Sequence, residues 1–555
     1  MTPASRPTFA SRANVLAASG EWPAFTWLDG ADQSESWLGL ECDEEIRGES
    51  LGLVDEIAAR WRADPRYAWA GWITYGVGAA ALMGRRATIG KLPGICMRRF
   101  RAMARFDARA RFDPDGMSAS STAFVGDAGA AADLVRRLQQ AEAPLGPPPG
   151  WPLASLRARV DAGAYRRAVG RALEHIGAGD TYQVNLSQAF DARWKQGCSP
   201  SAAQRVAALY GHLRAKTPAR MGALVAAGDH WIVSNSPETL LKIDLGADGI
   251  DQATSFPIKG TRSRGADAEA DERAAADLVA SEKDRAEHMM IVDLVRNDLG
   301  RVARPGSVHV SRQLQPMTLP TVHHLVSEVG CHLRVGWRLG DIVRSVFPGG
   351  SVTGAPKRRT LEIIDDLEGG ESREIYCGAL LLLAPQGVQM SILIRTALAS
   401  PQGVWLRSGG GIVYDSDPEA ERLETVAKMR AFDPQPHRDV PSRVVVCSGT
   451  PVKHDIPHDL DASLARIAAQ KAVDSYRGRF AQYNFSERWV DDTTMAFDFA
   501  VAGTKLEGSL GIRERHYELD LQVPFVFKVF RGKAISIIER EVNKWVAKAK
   551  NGDLG

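Results

Sequence analysis

Two sets of carboxylates stand at helical spacing in this chain. In SEKDRAEHMMIVDLVRNDLGR, Asp284, Glu287 and His288 fall at i, i+3 and i+4, on one face of a helix. In EAERLETVAKMR, Glu421 and Glu424 repeat the i, i+3 spacing. Acidic pairs on two helices can converge on a hard cation through oxygen donors, or can be two solvated helix faces, and spacing leaves both open. Two glycine-rich runs follow the same logic. FPGGSVTGAPK (Phe347–Lys357) and Gly409-Gly410-Gly411 can let backbone N–H groups approach an anion, or can be tight turns. The first lacks the spacing and terminal Lys-Ser/Thr of a Walker loop. Lys259, between Ile258 and Gly260, can act as a nucleophile if desolvation lowers its pKa, or can be a solvated surface group. His324 in TVHHLVSEV can be a proton carrier or a satisfied core histidine.

The elements that must hold these residues are readable in outline. Tyr165–Ile176 has apolar residues at helical spacing, and Ser281–Arg301 reads as one amphipathic helix with Ser281 as its N-cap. Ala223–Val233 and Ala379–Leu383 read as strands, and the run Ala379–Pro385 is too short to span a bilayer. Two proline-rich seams, 141–150 (AEAPLGPPPG) and 433–442 (DPQPHRDVPS), cannot lie inside a helix or a central strand. They divide the chain into residues 1–140, a central block 151–432 and a tail 443–555. In the tail, Leu464–Tyr476 reads as a helix. Met495, Phe497, Phe499 and Val501 alternate as in a half-buried strand, as do Tyr517, Leu519, Leu521 and Val523, and Ile535–Ala549 closes as an amphipathic helix.

Composition narrows the class. The 555 residues are 44% hydrophobic and 25% charged, as in a globular protein with a large core. A net charge of +2 gives no reason to expect nucleic acid or an anionic membrane as partner. Six cysteines without a CxxC pair argue against zinc ribbons and disulfide scaffolds and predict a reducing, cytoplasmic location. The N-terminal twenty residues lack a long apolar run behind a basic start, so no signal peptide is expected.

Taken in order, GDTYQVNLSQ, SNSPE, PIKGTRSRG, KDRAEHMMIVDLVRNDLGR, FPGGSVTGAPK, GGGIVYDSDPEAE and ETVAK resemble the chorismate-utilising family. That family includes anthranilate, aminodeoxychorismate, isochorismate and salicylate synthases. The resemblance spans Tyr165–Arg430, and reaches the first 110 residues through AWAGWITYGVG. It implies an α+β fold of antiparallel sheets sandwiched by helices, with chorismate and Mg²⁺ in a cleft. By motif, Glu287 and Glu424 would ligate the metal, with Asp284 and Glu421 nearby or acting through water. Arg395, in the strand SILIRTAL, would hold a substrate carboxylate as a bidentate fork. Tyr376, Ser351, Gly354, Gly409, Gly411 and Lys428 match other substrate contacts.

Two positions sort the family. Isochorismate and salicylate synthases place a water-activating lysine where this chain has Gln183. Anthranilate synthases usually read Pro-Ile-Ala-Gly-Thr where this chain has Lys259, and a lysine there marks the aminodeoxychorismate synthases. The implied chemistry has Lys259 attack C2, Glu238 act as general acid for the departing C4 hydroxyl, and His324 assist at the ring, before ammonia takes C4. The product is a precursor of p-aminobenzoate and folate. The alternatives are anthranilate synthesis and a non-catalytic scaffold that presents the tail. No segment resembles a glutamine amidotransferase, so ammonia is expected from a separate subunit. The Leu-Leu-Glu-Ser-like element with which some relatives bind tryptophan is replaced by Trp27-Leu28-Asp29-Gly30. From Ile456-Pro457-His458 to Ile538-Glu539-Arg540-Glu541 the tail resembles the polyhydroxyalkanoic acid system family, and it is expected to be a small α+β domain. Its His454 and His458 lack partners for a metal site.

Overall fold

Leu380, Leu381, Leu382 and Leu383 leave no polar face on their strand, so both faces must be covered. In the computed structural model the strand Ala379–Ala384 is buried throughout. Leu381 and Leu383 point to a core with Ile57 and Trp61 of the helix Gly52–Ala63 and Ile342 and Val343 of the helix Leu339–Val346. Leu380 points the other way, to Trp72, Ile232, Leu398 and Trp405. Helices therefore cover one side of the sheet and a second sheet covers the other, as the alternation of side chains along a strand requires.

The structure describes residues 9–31, 35–88, 90–107, 122–141, 150–199, 201–265, 267–319, 322–433, 452–479, 486–501, 504–522 and 531–550. Among these the chain forms two compact units, 1–280 with 287–444, and 445–555 with the short segment 281–286. In the first unit, one sheet has eleven strands and the other ten. The larger has at one side the neighbours Gln183–Arg193, Gly403–Ile412, Thr396–Ser400 and His230–Ser236. The smaller begins with the edge strand Ile258–Ser263, followed by Val322–His332, Gln252–Ser255, Thr239–Asp244 and Gly387–Ile392. The pairings are antiparallel. Strands from residues 26–126 continue both sheets, so residues on either side of the 141–150 seam share one core. Residues 142–149 of that seam lie outside the described set.

The expected helices are present as Ala162–Gly177, whose N-cap Asp161 accepts from Ala164 N at 2.9 Å, and Glu282–Gly300, with Ser281 Oγ 3.3 Å from Asp284 N. The run read as Ala223–Val233 is a hairpin, Met221–Ala227 and His230–Ser236, turning at Gly228 with φ 66°. Among the described residues no helix is long and apolar enough to cross a membrane.

The second unit has a five-stranded antiparallel sheet, in spatial order Val452–Pro457, His516–Gln522, Thr504–Ile512, Thr494–Val501, Ser486–Trp489, with the helices Ala462–Arg479 and Arg531–Lys550. Met495, Phe497, Tyr517 and Leu519 are buried, as alternation predicts, and Tyr517 and Leu519 pack with Ala465, Ala469, Val542 and Val546. The side chains of Phe499, Val501 and Leu521, and the seam beyond Asp433, lie outside the described residues.

Candidate active site

Two chain segments cross from one sheet to the other side by side. The strand His230–Ser236 belongs to the larger sheet and Thr239–Asp244 to the smaller, so Pro237 and Glu238 form the step between them. Gly387–Ile392 and Thr396–Ser400 make the reverse step through Leu393–Arg395. Backbone hydrogen bonds join the two steps, from Ile392 N to Glu238 O at 3.1 Å and from Asn235 N to Arg395 O at 3.0 Å. Arg395 was expected within one strand. It instead sits in the bend at φ 49°, a left-handed conformation that costs a non-glycine residue about 1–3 kcal/mol. Its neighbours are apolar on both sides of the bend because both strands are buried, so the sequence pattern does not change where the chain changes sheets.

These steps bring a carboxyl and a guanidinium into the sandwich edge. Glu238 is 6% exposed, and its Oε1 accepts from Ser351 Oγ at 2.8 Å. Burial pushes its pKa up to about 7, against the opposing pull of Ser351, Lys259 and Arg395. The guanidinium of Arg395 has no hydrogen-bond or ion-pair partner among the described residues. Burial draws its pKa down, with Glu238 opposing.

Lys259 comes from the edge strand Ile258–Ser263. The register with Val322–His332 shifts between Lys259 and Thr261, and Gly260 between them has φ 77°. Such a bulge re-aims neighbouring side chains. Lys259 Nζ lies 3.4 Å from Glu287 Oε2 on the helix Glu282–Gly300, with the two side chains 18% and 14% exposed. Burial lowers the pKa of the amine, but the carboxylates of Glu287, Glu424 and Glu421 outweigh it and leave the pKa raised. His324, on the paired strand, has Nδ1 3.0 Å from Thr261 Oγ1 and 3.2 Å from Gly260 O. A carbonyl only accepts, so Nδ1 carries the proton and Nε2 is left as a buried acceptor without a partner. Burial and then Arg395 hold this imidazole neutral, with its pKa lowered to about 4. His288, beside Glu287, faces the core and is fully buried, with Nε2 2.7 Å from Ser327 Oγ.

The helix Pro418–Lys428, capped by Asp417, carries the remaining carboxylates. Glu421 Oε1 accepts from Ser416 Oγ at 2.5 Å, and its Oε2 is buried without a partner. Burial, then Glu424, push its pKa up to about 7. Glu424 pairs with Lys428 at 2.7 Å, and Lys428 Nζ also donates to Gly409 O at 2.9 Å. Lys428 therefore ties its helix to the glycine strand. Asp284 lies one turn before Glu287 on its helix. Among the described residues no three His, Cys, Asp or Glu side chains converge closely enough to hold an ion alone. Mg²⁺ usually takes one or two carboxylates and completes its shell with substrate and water. The oxygen donors of Glu287, Glu424 and the orphaned Glu421 Oε2 suit that kind of ion.

The glycine strand Gly403–Ile412 runs between these groups. A Cβ on Gly410 would lie 2.7 Å from Glu421 Oε2, and one on Gly411 3.2 Å from Lys259 Nζ. A Cβ on Gly409 would lie 2.8 Å from Tyr376 Oη and 2.7 Å from Asn185 Oδ1. The glycines thus let carboxylate, amine and phenol all reach the backbone. Gly354 also lets backbones approach closely. With φ 149°, a Cβ there would meet Gln183 O at 1.9 Å, so glycine lets the two paired strands pass. Sequence reading missed Asn185, which was within reach: it lies two residues from Gln183 and hence on the same strand face.

Residues 21–434 match the family model described as chorismate binding enzyme, and residues 452–546 match the polyhydroxyalkanoic acid system protein model. The chain is 43% identical to aminodeoxychorismate synthase component 1 of Salmonella typhimurium over 253 residues, 45% of this chain and 53% of that one. It is 40% identical to anthranilate synthase component 1 of Aquifex aeolicus over 265 residues, 48% of this chain and 51% of that one. These alignments span about half the length of the curated relatives. The solved anthranilate synthase component I of Streptococcus pneumoniae superposes with a TM-score of 0.60 at 24% identity, covering 72% of this chain and 92% of that one. This last likeness shows the fold.

Proposed function

Because the chain belongs to the family of chorismate binding enzymes, we propose that it replaces the C4 hydroxyl of chorismate with an amino group, giving 4-amino-4-deoxychorismate. The observation that carries this reading is the place of Lys259: its amine lies beside the carboxylates and against Gly411, at the open face of the glycine strand. A surface lysine would have no reason to be there. Lys259 must first lose the proton that the neighbouring carboxylates hold on it, and the neutral amine then attacks C2 as the ring double bonds shift and the C4–O bond breaks. Glu238, protonated up to about pH 7, gives its proton to the leaving hydroxyl, which departs as water. Arg395 has a free planar fork for a substrate carboxylate, and Ser351 orients Glu238. Tyr376 and the Gly409 and Gly411 backbone border the ring, and the neutral His324 offers Nε2 to it.

Glu287 and Glu424 would hold Mg²⁺, with Glu421 and Asp284 beside them or acting through water. The ion would neutralise a carboxylate of the dianionic substrate. Without it, these carboxylates would face that dianion and repel it. Ammonia is supplied by a separate glutamine amidotransferase subunit or from solution.

The related chains carry both the aminodeoxychorismate and the anthranilate names. The test is to incubate the full chain with chorismate, MgCl₂ and ammonium chloride, and identify the product by mass and by its conversion to p-aminobenzoate with the cognate lyase. Anthranilate as product contradicts the reading. Full turnover in excess chelator contradicts the metal.

A further inference from the structure

The strand Val322–His332 loses regular pairing on both sides at one residue, Ser327. On one side it pairs with Gln252–Ser255 and then with Ile258–Ser263, leaving a gap at Phe256 and Pro257. On the other side the strand His309–Thr318 bulges between Arg312 and Gln315. Pro257 has no N–H to give the ladder. Ser327 spans both irregularities. Its N donates to Pro257 O at 3.1 Å, and its Oγ accepts at 3.0 Å from the N of Leu314, which sits in the bulge at φ 52°. A third bond leaves the sheet, because Ser327 Oγ lies 2.7 Å from Nε2 of His288 and both residues are fully buried. A buried hydroxyl needs an acceptor for its own proton, and Nε2 supplies it.

This bond stands at the end of an apolar contact. His288, Val292 and Leu299 share one face of the helix Glu282–Gly300, and Ser327, Val329 and Cys331 share one face of the strand. Val292, Leu299, Val329 and Cys331 belong to one core. Apolar burial has no direction, so it leaves the rotation of the helix about its axis loosely set. A buried hydrogen bond has direction and fixes it. The rotation matters because the preceding residue is Glu287, whose Oε2 is 3.4 Å from Lys259 Nζ. Lys259 lies two residues beyond Pro257, and its backbone and its charge both bear on the His288 ring. The helix that carries Glu424 is tied in the same way. Thr425, the residue after that carboxylate, accepts from Gln188 Nε2 at 2.6 Å, with both side chains buried.

We propose that His288 and Ser327 are positioning residues for the amination: their hydrogen bond fixes the Glu287 helix against the bulged edge strand and so sets the place of the Lys259 amine. This rests on the reading above that Lys259 attacks the ring. Buried as they are, both act through Lys259 and Glu287.

The test uses the full chain with His288→Gln, His288→Asn or Ser327→Ala. Each is mixed with chorismate and MgCl₂ while ammonia is withheld, and the adduct on Lys259 is followed by intact mass over a range of chorismate. A glutamine amide reaches the place of Nε2, whereas an asparagine amide stops at that of Nδ1. The maximal rate of adduct formation is expected to fall at least about tenfold in His288→Asn and Ser327→Ala, and to stay within about threefold of the wild type in His288→Gln. The chorismate concentration that gives half the maximal rate should change less than about twofold in all three. A role in packing alone would leave His288→Gln no better than His288→Asn, and that result overturns the proposal. So does an unchanged rate in His288→Asn and Ser327→Ala, or a change confined to the half-maximal concentration. If His288→Asn does not fold, Ser327→Ala, which loses a single hydroxyl, carries the same readout. A wild-type chain that gains no adduct on Lys259 shows that the functional reading itself has failed, which is seen before any variant is made.

Discussion

Two clusters of buried polar groups meet the strand Gln183–Arg193, and they are built in opposite ways. At Ser187, the backbone N and Oγ both donate to Glu368 Oε1, at 2.8 and 2.7 Å. Arg373 holds Glu368 by two bonds of 2.6 and 2.8 Å, and Arg407 adds a second cation at 3.2 Å. Burial would raise the Glu368 pKa, but Arg373 and Arg407 prevail and hold it low. Two residues upstream the pattern inverts. Asn185, Gln183, His324 and Glu421 each have a buried polar atom without a partner. A closed network fixes a structure, while an open one is complete only with a ligand. The difference separates residues that hold the sandwich edge together from residues that await a substrate.

The contrast can be broken by mutation. Lys259→Ala should lower formation of the C4-aminated product by at least about a thousandfold, since the nucleophile itself is removed, while the chain still folds and its denaturant midpoint shifts less than in Arg373→Met. The remaining product is expected to shift toward anthranilate. Arg373→Met should do the reverse. It leaves the buried Glu368 with one strong partner fewer, at a cost of about 3–5 kcal/mol in stability, read as a lower denaturant midpoint. A Lys259 variant that unfolds, or an Arg373 variant of native stability, would erase the distinction between the two clusters.

A pH profile sharpens it. The Glu238 pKa is raised by burial to about 7. At constant free ammonia, the slope of log turnover against pH should decrease by about one as pH rises through about 7, because an ionised carboxyl cannot donate. The stability sign agrees. The folded pKa lies above the unfolded one, so the contribution is full below the ordinary carboxyl range and is lost as pH rises through about 7. Glu238→Gln should abolish turnover and remove this step from the stability profile. Glu368, whose pKa is lowered, should show no such step near neutrality.

The smallest effect is expected at the tail. Asp433 Oδ2 accepts from Leu156 N at 3.0 Å, so a chain ending just after Asp433 retains that bond. It is expected to keep ammonia-dependent turnover within about twofold, and residues 452–550 to fold alone by virtue of their own core. An inactive but folded truncation would bring the tail into the chemistry.

What the sequence reveals and hides follows from what each feature depends on. The helix Glu282–Gly300 and the tail's alternating strands were legible because they depend on local spacing. The sandwich edge was not. Arg395 read as a strand residue because burial on both faces gives one apolar pattern across the change of sheet. The link from Ser351 to Glu238 joins residues far apart in sequence. Lys428 also bonds to Glu424 and to Gly409 on a separate strand, and the second of these links was not legible. The strand Val452–Pro457 escaped notice because only its pairing with His516–Gln522, far along the chain, makes it one.

The central claim is that Lys259 becomes covalently attached to the ring. The direct measurement is peptide mass analysis of the full chain after chorismate and MgCl₂ are added and ammonia is withheld. The account predicts that the peptide containing Lys259 gains the mass of chorismate less one water, and that adding ammonium chloride removes it with release of 4-amino-4-deoxychorismate. Release of the same product from a chain whose Lys259 is never modified, or from Lys259→Ala at the wild-type rate, would contradict it.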